Sequence, residues 1–379
     1  MTSGNSKPDI TANEALPTLT LPLYAMNGGD GPHSYVQNSS YQRGVVDIAK
    51  PIIEEEISKN VDIKVLSSAS TNGFWVADFG CSTGHNSFPA MQIITEAIHQ
   101  KHAASSGLIT PKVPKFVVVF NDVITNDFNT LFSSLPPHRN YNAVGVPGDF
   151  HARLLPESSL LFAYSSWALH WLTEVPKVVG ESGSRAWNKG EILYTKDRKD
   201  VCDAYLNQYA KDIEAFLDAR EVEMMSGGLM TLLIPAVPAF WNPDTEYTYP
   251  SDVNLLGSCL MDMAKKGRFC EAKVDSFNLP YYFPTPEQLK PILERSHSFS
   301  LERLEILNNP GKHSLPSVKA RAAFIRAVHE GLLADHFGSE VIDELFDLYI
   351  QKLAASPVFQ NPNNDKSIVI LAVLKRKSD

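Results

Sequence analysis

One stretch limits the fold of this chain more than any other: Gly73-Phe74-Trp75-Val76-Ala77-Asp78-Phe79-Gly80, an apolar run that closes on an acid and a glycine. A short apolar run bounded by turn residues suits a strand buried on both faces, as in a parallel sheet. Its continuation, Cys81-Ser82-Thr83-Gly84-His85-Asn86, leads into helix-forming sequence from about residues 88 to 102. Lys115-Phe116-Val117-Val118-Val119-Phe120 then gives a β-branched and aromatic strand closing on Asn121-Asp122. The order is that of a βαβ unit. Apolar runs at 160–164 and 229–234 repeat the pattern, so the spacing predicts at least four parallel strands.

Val201, Tyr205, Tyr209, Ile213, Phe216 and Leu217 recur at helical spacing and predict a long amphipathic crossover, with Gly227-Gly228 as its stop. Residues 301–307 and 367–374 are further strand candidates, readable as a terminal antiparallel pair. The second runs into Lys375-Arg376-Lys377, which would blunt an exposed edge. The segments at about 172–195, 238–293 and 313–356 break the alternation with prolines, aromatics and helix-like stretches. They are expected to cap the carboxyl ends of the strands, where α/β sheets bind ligands.

Composition narrows the partners. A formal charge of −9, from 43 acids against 34 bases, argues against nucleic acid or an anionic membrane as the main partner. Hydrophobic residues at 44% allow a substantial core in 379 residues, so the chain needs no staples. Cys81, Cys202, Cys259 and Cys270 have neither metal-ligand spacing nor the density of a disulfide scaffold, and read as reduced thiols in a cytosolic protein. Residues 1–22 have no basic n-region or apolar h-region and are expected to be a disordered leader. No run approaches the roughly 18 apolar residues that span a bilayer.

The loop after the first strand carries the chemistry. Gly80 and Gly84 allow a tight turn and close backbone approach to a ligand, while Asp78 can accept from an ammonium group. A nicotinamide site would prefer G-x-G-x-x-G, and here the second glycine falls four residues after the first. Asp122, at the end of the second strand, stands where such domains place an acid on ribose hydroxyls. An N-cap role for Asp122 or Asp127 is the alternative. In Gly145-Val146-Pro147-Gly148-Asp149-Phe150, Asp149 can face the amine of an adenine with Phe150 against its ring.

A set of motifs runs in order from about residue 24 to the end of the chain. It comprises Met26-Asn27-Gly28-Gly29-Asp30-Gly31, Ser34-Tyr35, Asn38-Ser39-Ser40-Tyr41-Gln42, Asp78-Phe79-Gly80-Cys81-Ser82, Asn121-Asp122, Asn126-Asp127-Phe128-Asn129, Val146-Pro147-Gly148, His170-Trp171, Trp187-Asn188-Lys189-Gly190 and Asp275-Ser276-Phe277-Asn278-Leu279-Pro280. Together they resemble the plant SABATH carboxyl and N-methyltransferases. The resemblance implies a Rossmann-like class I methyltransferase core, a seven-stranded mostly parallel sheet with an α-helical cap, in one domain over 23–379, and a homodimer. It assigns Tyr35, Ser39, Asp78, Cys81, Asn86, Asp122, Val123, Asp149 and Phe150 to S-adenosyl-L-methionine. Gln42, Trp167, His170 and Trp171 fall to the substrate, and Asn188, Asp275, Phe277 (through its carbonyl) and Asn278 to a magnesium ion. Asp149 stands where the family usually has Ser, His85 where it has Pro, Ser87 where it has Thr and Trp167 where it has Tyr.

The activity implied is methyl-ester formation on a small apolar acid: aromatic, hormone-like, or iridoid and terpenoid, as in members acting on loganic acid. A carboxylate is ionised at neutral pH, so the transfer needs no general base, and Gln42 with the Trp171 indole N–H would fix one oxygen. The further wall is expected from Trp241, Tyr247, Tyr249, Leu256, Phe324 and Phe359. N-methylation of a xanthine-like heterocycle, or acid binding without turnover, are the alternatives.

Overall fold

The computed structural model describes residues 25–61, 73–106, 115–308 and 310–378; the expected leader lies outside them. Its strands are β1 (Phe74–Phe79), β2 (Phe116–Asp122), β3 (Tyr141–Pro147), β4 (Leu160–Ser166), β5 (Met224–Ala236), β6 (Phe299–Asn308) and β7 (Ile368–Arg376). They form one sheet in the order β3-β2-β1-β4-β5-β7-β6. Strands β1 to β5 are mutually parallel, and β7 runs antiparallel to both β5 and β6. The expected seven-stranded, mostly parallel sheet is therefore present.

The helices include α1 (Tyr35–Asn38), α2 (Ser40–Asn60), α3 (Ser87–Ser106), α4 (Phe128–Ser133), α5 (Lys199–Glu223), α6 (Tyr249–Lys265), α7 (Pro286–Glu294), α8 (Val318–Phe337) and α9 (Ile342–Ala355). Burial on both faces explains the unbroken apolar strands. Val76, Val118 and Phe162 pack with Val45 and Ile53 of α2 and Ile94 of α3, whereas Ala77, Phe79 and Ala163 share the opposite core with Tyr209, Ile213 and Phe216 of α5.

Two local expectations are corrected. The crossover helix stops at Glu223, before the glycines: Gly227 and Gly228 lie within β5, where the β4–β5 register shifts and Gly227 takes φ +77°. A Cβ on Gly228 would come within 3.0 Å of two carbonyl oxygens, so the bulge admits no larger side chain without movement. Next, β7 is flanked on both sides, leaving β6 and β3 at the edges, so Lys375-Arg376-Lys377 guards no edge. Strand β3 was not among the expected strands; it tolerates its glycine and proline because it pairs on one side only.

Helix α8 packs on α9, and α9 on α6, so 238–293 and 313–356 supply a stack of three helices, whereas 172–195 has only the short helix Lys177–Gly180, which contacts α5. Within 238–293, however, α7 contacts α5 and β6 and belongs to the layer beside the sheet. Strand order reverses between β1 and β4, which opens a crevice at their carboxyl ends.

Candidate active site

At the end of β1 the chain turns through Gly80 at φ +89°, and a Cβ there would come 2.1 Å from that of Ala168, after β4. Glycine is thus required both by conformation and by the closeness of the two strand ends. The amides of Gly80 and Cys81 both donate to Asn121 O at 2.9 Å. Asp122 braces the same turn, its two oxygens accepting from Ser82 N at 2.7 Å and Val123 N at 2.8 Å. Asp127 supplies the N-cap, accepting from Thr130 N at 2.9 Å, which leaves Asp122 to the crevice.

The electrostatics are unusual. Asp78 is 2% exposed, and burial pushes its carboxyl up to about 7, opposed by a Ser87 hydrogen bond and reinforced by Asp122. Burial likewise raises Asp122 to about 6, against the two amides that it accepts from. Two carboxyls raised by desolvation make a site that favours a cation. Burial also pushes the Cys81 thiol well above its ordinary range, so it is a neutral lining group.

Two adjoining cavities share Tyr35, Gly80, Ser82, Ser166 and Trp167. The smaller, about 350 Å³, adds Gln42, Asp78, Cys81, Asn86, Ser87 and Tyr164. The larger, about 880 Å³ including its mouth, adds Asp122, Val123, Asp149, Phe150, His151, Trp171, Leu172 and Met26 among others. The Oε1 of Gln42, Oγ of Ser82, Oγ1 of Thr83 and Oδ1 of Asn86 are buried without a partner. Orphaned polar atoms, a glycine cradle and two raised carboxyls fit a polar, cationic amino-acid group in the smaller cavity, and a nucleoside beside Asp122 and Phe150 in the larger, whose lining also includes Trp167 and Trp171.

Ser39 is reached through Asn86, whose Nδ2 donates to its Oγ at 3.0 Å. Ser39 and Gln42 do not share a helix: Ser39 is the joint between α1 and α2, and Gln42 lies in the first turn of α2. Tyr41 anchors that turn by donating to Asp365 at 2.9 Å, and a Cβ on Gly311 would come 2.0 Å from Tyr41 O. His85 accepts from Arg43 Nη1 at 2.9 Å, which ties the β1–α3 loop to α2.

On the acceptor side, Trp167 follows β4 at φ +56°, a conformation costly for a bulky residue, with its indole N–H buried and unpartnered. Trp171 pairs in a β-bridge with Tyr281, rings 5.1 Å apart. His170 is buried behind them, and desolvation, then His329, lowers it to about 3, so it stays neutral. It lines neither cavity. None of the expected further wall lines either cavity, but Tyr249 packs behind it, 6.3 Å from Trp167 and 5.6 Å from Phe324, ring to ring. The rest is elsewhere: Tyr247 stacks on Phe359 and bonds Arg321, Leu256 is in the cap core, and Trp241 lies under the Lys196 ammonium. These four were too long-range to place by sequence.

Sequence reasoning missed Arg220. It is fully buried on α5, paired with Glu223 at 2.8 Å, and donates to Phe150 O at 2.7 Å and Ala152 O at 2.9 Å, fixing the loop that bears Asp149 and Phe150. Its helical pairing with Glu223 reads in sequence as an ordinary solvated ion pair. Burial raises the Asp149 carboxyl, but the hydrogen bonds that it accepts from the ring and backbone N–H groups of His151 outweigh this and hold it below the usual carboxylate range.

The residues assigned to magnesium do converge, but they are satisfied by one another. Asn188 Nδ2 donates to Asn278 Oδ1 at 2.9 Å, Gly190 N to Asp275 Oδ1 at 2.8 Å, and Arg198 Nη1 to Asn188 Oδ1 at 3.2 Å. Arg198 Nη2 also donates to Trp187 O at 2.6 Å. A divalent ion needs a near-complete oxygen shell, yet here N–H groups occupy the oxygens and one donor is itself cationic. No group of three or more His, Cys, Asp or Glu suited to a metal occurs among the described residues. The arrangement does not fit the ion.

The family model described as "SAM dependent carboxyl methyltransferase" matches residues 22–377. Loganic acid O-methyltransferase of Catharanthus roseus is 41% identical over 96% of this chain and 97% of its own. Farnesoic acid carboxyl-O-methyltransferase of Arabidopsis thaliana is 37% identical over 87% and 92%. The solved structure of a loganic acid methyltransferase with SAH superposes with a TM-score of 0.87 at 41% identity, covering 93% of this chain and 99% of that one.

Proposed function

Since this chain belongs to the family of SAM-dependent carboxyl methyltransferases, we propose that it esterifies a small, largely apolar acid of the iridoid, terpenoid or aromatic kind, loganic acid being the first to test. The observation that carries this reading is the lining of the larger cavity. Trp167, Trp171, Leu172, Ala168 and Met26 face it, and no lysine or arginine is among its lining residues. Such a wall suits a hydrocarbon body better than a polyanion.

S-adenosylmethionine, held by Tyr35, Ser39, Asp78, Cys81, Asn86, Asp122, Val123, Asp149 and Phe150, supplies an electrophilic methyl group when bound. The protein's own work is to align and desolvate the acid anion. With a pKa near 4 the acid arrives ionised, so neutral His170 need not take a proton. Gln42, anchored through Tyr41, and the Trp171 indole donate to the carboxylate and aim one oxygen. Proximity and exclusion of water dominate the rate. A cytosolic location, in keeping with four free cysteines, and the homodimer that the family resemblance implies complete the proposal. No helix among the described residues is long and apolar enough to cross a membrane.

Transfer of labelled methyl to a panel of iridoid, aromatic and fatty acids and to xanthines tests the reading. An ester product supports it; transfer only to a ring nitrogen, or tight acid binding without transfer, overturns it.

A further inference from the structure

We propose that His151, rather than Asp149, reads the exocyclic amine of the cofactor's adenine. This inference rests on the S-adenosylmethionine reading of the larger cavity and deepens it.

The geometry turns Asp149 away from the role its position suggests. Its Oδ1 accepts both the backbone N–H of His151 at 2.9 Å and the ring Nδ1 at 2.8 Å. An ionised carboxylate only accepts, so Nδ1 carries the proton that meets it, and in the neutral ring Nε2 then holds the lone pair. That Nε2 is buried with no partner, on a side chain only 8% exposed. His151 lines the larger cavity beside Phe150, ring centroids 4.5 Å apart. An aromatic face and an adjacent acceptor, held by a carboxylate that fixes the tautomer, form a recognition edge for a planar base bearing an N–H₂ group. The loop is rigid, because Arg220 donates to the carbonyls of Phe150 and Ala152 on either side of His151. A buried acceptor without a donor is costly, and the amine would relieve it. Asp149 is then a positioning residue that acts through His151.

Calorimetry of the full-length protein decides it, with S-adenosylhomocysteine and its analogue in which hydrogen replaces the exocyclic amine. The parent should bind the parent ligand about tenfold more tightly than the analogue, the usual value of one buried hydrogen bond. His151→Phe removes the acceptor but keeps a ring, and should bind both ligands equally. His151→Gln puts a carbonyl oxygen near the position of Nε2 and should keep most of the discrimination. The proposal is overturned if His151→Phe discriminates as well as the parent does. It is equally overturned if Asp149→Ala alone abolishes discrimination while His151→Phe retains it, since the carboxylate then reads the amine directly. A parent that fails to bind S-adenosylhomocysteine at all refutes the cofactor reading and this assignment with it. A parent that binds both ligands equally refutes only the assignment.

Discussion

Replacing Asp78 by Asn should make the free protein more stable and weaken its hold on the cofactor. In the folded chain burial lifts this carboxyl from 3.8 to about 7. At 1.36 kcal/mol per pKa unit, ionising it above both values costs the fold about 4 kcal/mol, an upper estimate because the asparagine amide must also be buried. The folded pKa is the higher one, so the stability of the neutral form is intact below the unfolded value of 3.8 and lost as pH rises through about 7. The gap between Asp78→Asn and the parent should therefore widen from under about 2 kcal/mol near pH 5 to about 4 near pH 8.5. In a chain of this size that is about 5 °C in Tm at the higher pH. The same change removes a charge-assisted bond to the ligand ammonium, worth about 1.5–3 kcal/mol, so affinity for S-adenosylhomocysteine should fall roughly 10- to 100-fold. Differential scanning fluorimetry across pH and calorimetry read the two effects. Equal Tm values at pH 8.5, or unchanged ligand affinity, would refute the reasoning.

Gln42→Glu should lower kcat/KM for the acid more than Gln42→Ala does, because it sets a second anion against the substrate; steady-state rates with the acid as the varied substrate check the order, and equal turnover by Gln42→Glu and the parent would refute it. Gly80→Ala should abolish cofactor binding, since its Cβ would come 2.1 Å from that of Ala168; measurable binding at the parent's affinity would mean that the strand ends separate easily. The lining carries Asp78 and Asp122 but no lysine or arginine, so the acid should bind several-fold tighter with sinefungin, which is cationic near the sulfonium position, than with neutral S-adenosylhomocysteine. EDTA should leave initial rates unchanged, as Arg198 already serves the oxygens of the Asn188 cluster, and a rate restored specifically by magnesium would contradict this.

Legibility followed the range of the interaction. The β1 run, its two glycines and the acids closing β1 and β2 were readable because burial on both faces and a tight turn each leave a local residue pattern, and they give the α/β class and the cofactor crevice. The motif order adds the family. Ser39, Gln42, Asp78, Asn86 and Asp122 came from there, and the fold brings them together. The edge strand β3 was hidden because its glycine and proline are poor strand formers, tolerated only where pairing is one-sided. Gly227-Gly228 looked like a helix stop because a glycine pair has the same local meaning in a cap as in a bulge, and the β4 register decides between them. Arg220, paired on its own helix, gave no hint that its guanidinium would be buried under Phe150. The side chain of Asp149 was expected toward adenine, but whether it meets a ligand or His151 depends on a rotamer that spacing does not encode. What the sequence determined by itself was the periodicity and the turn chemistry, hence the class of sheet and the glycine-lined crevice at the ends of β1 and β2. Only the tertiary structure decided which aromatics face the acid and which polar atoms stay unpaired, because those follow from contacts between elements more than a hundred residues apart in several cases, such as Tyr41 with Asp365.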